Sequence, residues 1–156
     1  MRFLQPGEIH FSETSAQVTT ILGSCLAVTM WEPNLKIGAI CHALLPSCPN
    51  SEKCSRECPD QFKYVECTIA WMIEKFQERA IKRSTIECKV FGGGDMFPPS
   101  VEDEKRLSVG KQNVKMALRI LKMEGLRVVA QDLEGTIGRK IIFNSENGQV
   151  LMKRIR

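Results

Sequence analysis

The stretch TTILGSCLAVTMWEPNLKIGAICHALLP, Thr19 to Pro46, decides how the chain is read. Within it, two apolar segments, Cys25 to Trp31 and Lys36 to Leu44, flank Glu32-Pro33-Asn34-Leu35. Pro33 presets its own φ and Asn34 tolerates turn geometry, so these residues join the two segments as a β-hairpin. With the turn centred on Pro33-Asn34, directly opposed residues carry numbers that sum to 67, and Cys25 with His42 meets that sum. Opposed Cβ atoms of an antiparallel pair lie about 4.5–5.5 Å apart. A thiol and an imidazole are therefore expected side by side across the hairpin. A single bulge would change that register and send one side chain to the other face.

Upstream, Gly7 to Thr14 and Val18 to Ile21 carry β-branched residues bounded by polar ones and read as two short strands. Downstream, Pro46 to Pro59 (PSCPNSEKCSRECP) is polar and broken by prolines, the composition of a surface loop. From Asp60, taken as an N-cap, Phe62, Val65, Ile69, Met72, Ile73, Phe76 and Ala80 recur every three or four residues, the period of a buried helix face. Ile86, Cys88 and Val90 alternate with polar residues as a strand that runs into Gly92-Gly93-Gly94, a loop expected to border a site. A second helix is expected from about Glu104 to Lys122, with Leu107, Val114, Ala117, Leu118 and Leu121 on its apolar side and Gly125 ending it. Arg127 to Leu133, Arg139 to Phe143 and Gln149 to Ile155 read as three strands, the last two separated by the turn Asn147-Gly148. Strands and helices in mixed order give an α/β sandwich, one domain over residues 1–156.

Composition narrows the function. A chain of 156 residues with 43% hydrophobic and 26% charged residues suits one folded domain and argues against disorder or a membrane bundle. No apolar run approaches the roughly 18–20 residues that span a bilayer, and MRFLQPGEIHFSET lacks the pattern of a secretory signal, so a cytoplasmic address is expected. The net charge of +4 is scattered apart from Lys153, Arg154 and Arg156, which is no nucleic-acid footprint. Seven cysteines, an odd number, favour reduced thiols, metal ligands or a nucleophile over a disulfide framework.

Among those cysteines, Cys25 follows a Gly23-Ser24 turn, has a histidine as its expected partner and lies where backbone N–H groups can stabilise an oxyanion. An imidazole that takes the thiol proton makes the thiolate that attacks carbon. The competing reading is a small buried hydrophobe beside a satisfied polar neighbour. Thr19 or Thr20 could orient the imidazole, and local spacing does not choose between them. Cys48, Cys54, Cys58 and Cys67 could hold a metal, form a disulfide on oxidation or remain free thiols; their spacing lacks the tight pairs of common zinc sites.

LGSC, the histidine of ICHALLP, KYVECTIAWMI, FGGGDMF and VGKQNVKMALRILKMEGLRVVAQDLEGTIGRKIIF, in this order, resemble the CheD family of chemoreceptor glutamine deamidases over nearly the whole chain. The resemblance implies an α/β sandwich similar to the deamidase domain of cytotoxic necrotizing factor toxins. It implies catalysis by Cys25, His42 and Thr19, the last chosen over Thr20 because it stands six residues before the cysteine. It further implies deamidation of receptor glutamines without metal or organic cofactor, and a CheC-type phosphatase as partner. A noncatalytic module that docks receptors or CheC is the alternative, and a cysteine-rich redox or metal sensor a third reading. Two features depart from the family pattern: the cysteine-rich loop, and Leu133-Glu134-Gly135 where a glycine pair is expected after Asp132.

Overall fold

A computed structural model describes residues 1–49, 60–97 and 107–156. Its elements in chain order are β1 (Arg2–Phe3), β2 (Ile9–Ser12), β3 (Gln17–Leu22), β4 (Leu26–Glu32), β5 (Ile37–Cys41), α1 (Val65–Gln77), β6 (Glu87–Gly92), α2 (Val109–Met123), β7 (Arg127–Leu133), β8 (Gly138–Asn144) and β9 (Val150–Ile155). The strands form two sheets, β1-β3-β8-β9 and β2-β5-β4-β6-β7.

The five-stranded sheet is the middle of three layers. On one face Leu26, Val28, Met30, Ile37, Ala39, Cys41, Cys88 and Val90 pack with Ile69, Met72 and Phe76 of α1 and Ala117 and Leu121 of α2. On the other, Ala27, Ile40 and Phe91 meet Val18, Leu22, Ile141 and Phe143 of the four-stranded sheet. A strand covered on both faces loses its polar alternation, which is why β4 and β5 read as near-continuous apolar runs. The expected α/β sandwich is present, with a second sheet in addition to the expected packing of sheet on helices. That sheet follows from the period-two faces of β3 and β8, whose apolar sides need a partner layer.

The hairpin register differs from the expected one. Thr29 pairs with Ile40, Met30 with Ala39 and Glu32 with Ile37, so opposed numbers sum to 69 rather than 67. The cause lies at the tip: Glu32 belongs to the strand, its carboxylate accepts from the N–H groups of Asn34 (3.0 Å) and Leu35 (2.7 Å), and Lys36 turns the chain at φ 55°. The loop is thus Pro33 to Lys36, one residue later than the sequence suggests.

Both helices also start later. Gln61–Lys63 form a 3-10 turn, Tyr64 is extended, and Asp60 makes no side-chain cap. The segment is drawn to the end of the hairpin instead, with Leu44 and Leu45 N–H donating to Lys63 O and Val65 N–H to Leu45 O. Helix α2 begins at Val109, where the Ser108 hydroxyl caps it by accepting from Lys111 N–H, so Leu107 precedes the helix and is exposed. Residues 98–106, including Glu104, lie outside the described residues, as do residues 50–59 of the expected surface loop. Gly125 ends α2 at φ 71°, as its sequence position indicates.

Candidate active site

At the β4 end of the hairpin, Cys25 is partly exposed at the floor of a cleft of about 570 Å³, within the ordinary range for a ligand site. Ser24, Leu44 and Lys63 line it together with Gly94, Met96 and Phe97 of the glycine loop and with Val109 and Gly110 at the start of α2. The glycine loop therefore does border the cleft. Phe97 is 81% exposed, so it stands at the mouth rather than packing beneath the loop.

Close backbone approach explains the glycines. A Cβ on Gly92 would lie 2.3 Å from Cys25 O, and one on Gly110, in the first turn of α2, 2.4 Å from Gly94 O. Without those atoms, Gly93 N–H donates to Cys25 O and Gly94 N–H to Gly23 O, both at 2.9 Å. Behind this loop, Glu134 N–H donates to Gly92 O and Asp95 N–H to Gly135 O. Buried Arg139 secures the support by donating to Asp132 (2.7 Å) and to Glu134 O (2.6 Å). Glu134, where the sequence departs from the expected glycine pair, takes the left-handed conformation at φ 64°.

Cys25 and His42 are not directly opposed. Leu26 and Ala43 bridge, continuing the sum of 69, which puts Ala27 across from His42 and Cys25 across from Leu44. Because the sum changes by two, the parity of every side chain is kept. Cys25 and His42 remain on the face toward the four-stranded sheet, as diagonal neighbours. No hydrogen bond joins the thiol to the imidazole in this structure. Burial pushes the Cys25 thiol up from its usual value and pulls the His42 imidazole down to about 4, so both are neutral at pH 7.

The threonine that meets His42 is Thr20, not Thr19. Thr20 Oγ1 lies 2.7 Å from His42 Nδ1 and 2.8 Å from Leu4 O. One arrangement of hydrogens satisfies both contacts: the hydroxyl donates to Leu4 O and accepts from Nδ1–H, which leaves Nε2 as the basic nitrogen. The Thr19 hydroxyl donates instead to Ile141 O at 2.9 Å, from the opposite face of β3. The sequence does contain a signal for this choice. Val18, Thr20 and Leu22 form one period-two face, and all three are fully buried.

Asn113 also escaped the sequence reading. It is fully buried and donates from its amide to Ser24 O at 3.1 Å and Leu44 O at 3.0 Å. The signal was its place on the α2 stripe, four residues before Ala117 and eight before Leu121. His10, the other histidine, pairs with Arg2, its Nδ1 2.8 Å from the guanidinium. Among the described residues no group of three or more His, Cys, Asp or Glu side chains could hold a metal; Cys54 and Cys58 lie outside them. No helix of the described residues is long and apolar enough to cross a membrane.

The chain matches the family described as "CheD chemotactic sensory transduction" over residues 44–154. It is 42% identical to the "Probable chemoreceptor glutamine deamidase CheD 2" of Geobacter sulfurreducens over 153 residues, 98% of this chain and 89% of that protein. The "Probable chemoreceptor glutamine deamidase CheD" of Maridesulfovibrio salexigens is 32% identical over 98% of this chain and 91% of its own length. That of Pseudomonas syringae pv. tomato is 35% identical over 96% and 86%.

Proposed function

The chain belongs to the CheD family, and on that premise we propose that it is a chemoreceptor glutamine deamidase of chemotaxis in which Cys25 is the nucleophile and His42 the base. The observation that carries the reading is the Leu4–Thr20–His42 relay. It presents Nε2 as proton acceptor on the sheet face that also bears Cys25, and Cys25 lines an open cleft.

Two neutral partners define the order of events. The Cys25 proton passes to His42 Nε2 as Sγ attacks the carboxamide carbon of a receptor glutamine, so charge separates only during attack. Diagonal positions on a sheet leave the thiol and imidazole within reach by side-chain rotation. His42 then returns the proton to the departing nitrogen, ammonia leaves, and a thioester joins substrate to Cys25. Water, giving a proton to Nε2, attacks the thioester; the C–S bond breaks, Cys25 recovers its proton and glutamate remains. Thr20 holds the imidazole throughout, the role the family resemblance would give to Thr19. No step needs a metal or an organic cofactor.

The cleft suits a side chain presented by another protein, being open, with apolar Met96 and Phe97 at the mouth. The substrate is the cytoplasmic part of a chemoreceptor, which sets the site of action in the cytoplasm. A CheC-type phosphatase belongs to the same reading as a partner. The layered fold serves as the deamidase scaffold that the resemblance to necrotizing-factor toxins implies.

Mass spectrometry of a glutamine-containing chemoreceptor cytoplasmic fragment, incubated with wild type or with folded Cys25→Ala, tests the proposal. Conversion of glutamine to glutamate by wild type alone is expected. Conversion by both would remove Cys25 from the role of nucleophile. Conversion by neither, with cognate receptors, would favour a noncatalytic docking module.

A further inference from the structure

We infer that Asn113 is a positioning residue that aims the Cys25 backbone N–H into the cleft as the oxyanion donor of the reaction. The inference rests on the deamidase reading above and adds a residue outside its Cys25–His42–Thr20 group.

Four backbone groups belong to the two peptide units that flank the nucleophile. Asn113 Nδ2 holds Ser24 O, Gly93 N–H holds Cys25 O at 2.9 Å, and Leu26 N–H is taken by Ala43 O at 2.9 Å. Only the Cys25 N–H has no acceptor among the described residues. A trans peptide is planar, with its C=O and N–H pointing in opposite directions. Fixing Ser24 O against buried Asn113 therefore fixes the Cys25 N–H on the side of the peptide opposite the Asn113 amide. Cys25 lines the cleft together with the first turn of α2 at Val109 and Gly110, and a tetrahedral oxygen on the attacked carbon would form there.

The same Asn113 amide also donates to Leu44 O, two residues beyond His42. One side chain thus ties the nucleophile's peptide to the strand end that carries the base. Its Oδ1 is buried without a hydrogen-bond partner, so the amide serves here through its donors. Gly110 lets α2 come close enough for this contact, since any Cβ there would strike Gly93 O at 2.5 Å.

The test compares wild type and Asn113→Ala on the chemoreceptor fragment, with Cys25 alkylation by iodoacetamide as a second readout. Displacing one preorganised oxyanion donor lowers kcat by about a hundredfold or more. KM should stay within about threefold, because the donor acts on the transition state rather than on the bound ground state. Alkylation needs the thiol but no oxyanion, so its rate should stay within about threefold as well. A kcat unchanged in folded Asn113→Ala, or alkylation falling in step with kcat, would overturn the inference. A measurement on wild type covers the case in which the variant fails to fold. A peptide bearing glutamate γ-semialdehyde adds its carbonyl carbon to Cys25 Sγ and leaves an oxygen at the oxyanion position. The Cys25 amide proton should then move downfield in the NMR spectrum, and a resonance that stays in place overturns the inference. If Cys25→Ala also deamidates the fragment, Cys25 is not the nucleophile, and if neither it nor wild type does, the deamidase reading itself has failed. If wild type alone does, the Asn113 results bear on the inference alone.

Discussion

Cys41 and His42 are neighbours in the chain, yet they face opposite sides of the central sheet, and the two sides have different chemistry. Toward the helices, Cys41 is sealed among Leu26, Val28 and Met30; its sulfur accepts from Val28 N–H at 3.4 Å, and burial pushes its thiol up to about 12. Toward the second sheet, His42 is buried as deeply but is held by a polar relay, and Cys25, on the same face, opens into the cleft. The first face is filled chiefly by apolar side chains. The other contains polar groups whose hydrogen bonds leave two atoms without a partner among the described residues: His42 Nε2 and the Cys25 N–H. Sulfur by itself therefore signals nothing, and its face decides whether it is packing or chemistry.

The strongest way to break this contrast is to alkylate the intact protein. Cys41 and Cys88 are exposed only when the structure opens, a state populated at about 10⁻³ or less, so Cys25 should react with iodoacetamide at least about a thousandfold faster than either. Peptide mapping over time reads the ratio. The Cys25 rate should rise with pH above the ordinary thiol value of 9.0, because burial holds the thiol protonated. An inflection well below neutrality would show a resting thiolate–imidazolium pair and contradict the neutral pair described above.

The two adjacent threonines sharpen the contrast within one strand. Thr20→Val leaves the imidazole without its backing oxygen and should lower kcat for deamidation by about a hundredfold, the scale of positioned general-base catalysis. Thr19→Val loses a hydroxyl-to-carbonyl bond on the other face, costing about 1 kcal/mol of stability with kcat unchanged. Steady-state kinetics and denaturant melts on both variants give the comparison. A kcat loss confined to Thr19→Val would restore the residue singled out by family resemblance.

These threonines also show where sequence was sufficient. The hairpin, both apolar helix stripes, the glycine loop beside the cleft and the strand at Arg127–Leu133 follow from periodicity and turn chemistry, which are local. Register failed on a local side-chain contact, the Glu32 carboxylate capturing Asn34 and Leu35 N–H at the tip, and the start of α1 failed on one distant in sequence, Lys63 O capturing the end of the hairpin. Cys25 and His42 still reached the same face despite the wrong partner assignment, since an error of two preserves parity. Thr20 was legible from Val18 and Leu22, but matching by distance from the cysteine chose Thr19. Asn113 stood in plain view on an apolar stripe, and what it holds became visible only when α2 met the hairpin.

A more gradual difference lies in acid stability. His42 in the folded chain binds a proton near pH 4, whereas in the unfolded chain it does so near 6.5. Between those values the unfolded state carries more protons, so stability is fully present above about pH 6.5 and is lost as pH falls toward 4. One such group gives a slope of at most about 1.4 kcal/mol per pH unit. His42→Gln should flatten the wild-type slope in that window, measured by urea melts at successive pH values. His10, also lowered by burial and by Arg2, supplies the same background slope to both proteins. Equal slopes in the two would mean that the imidazole is protonated as readily in the fold as in the open chain. Below about pH 6.5 the relay through Thr20 would then carry an imidazolium, and His42 would be unable to take the Cys25 proton there.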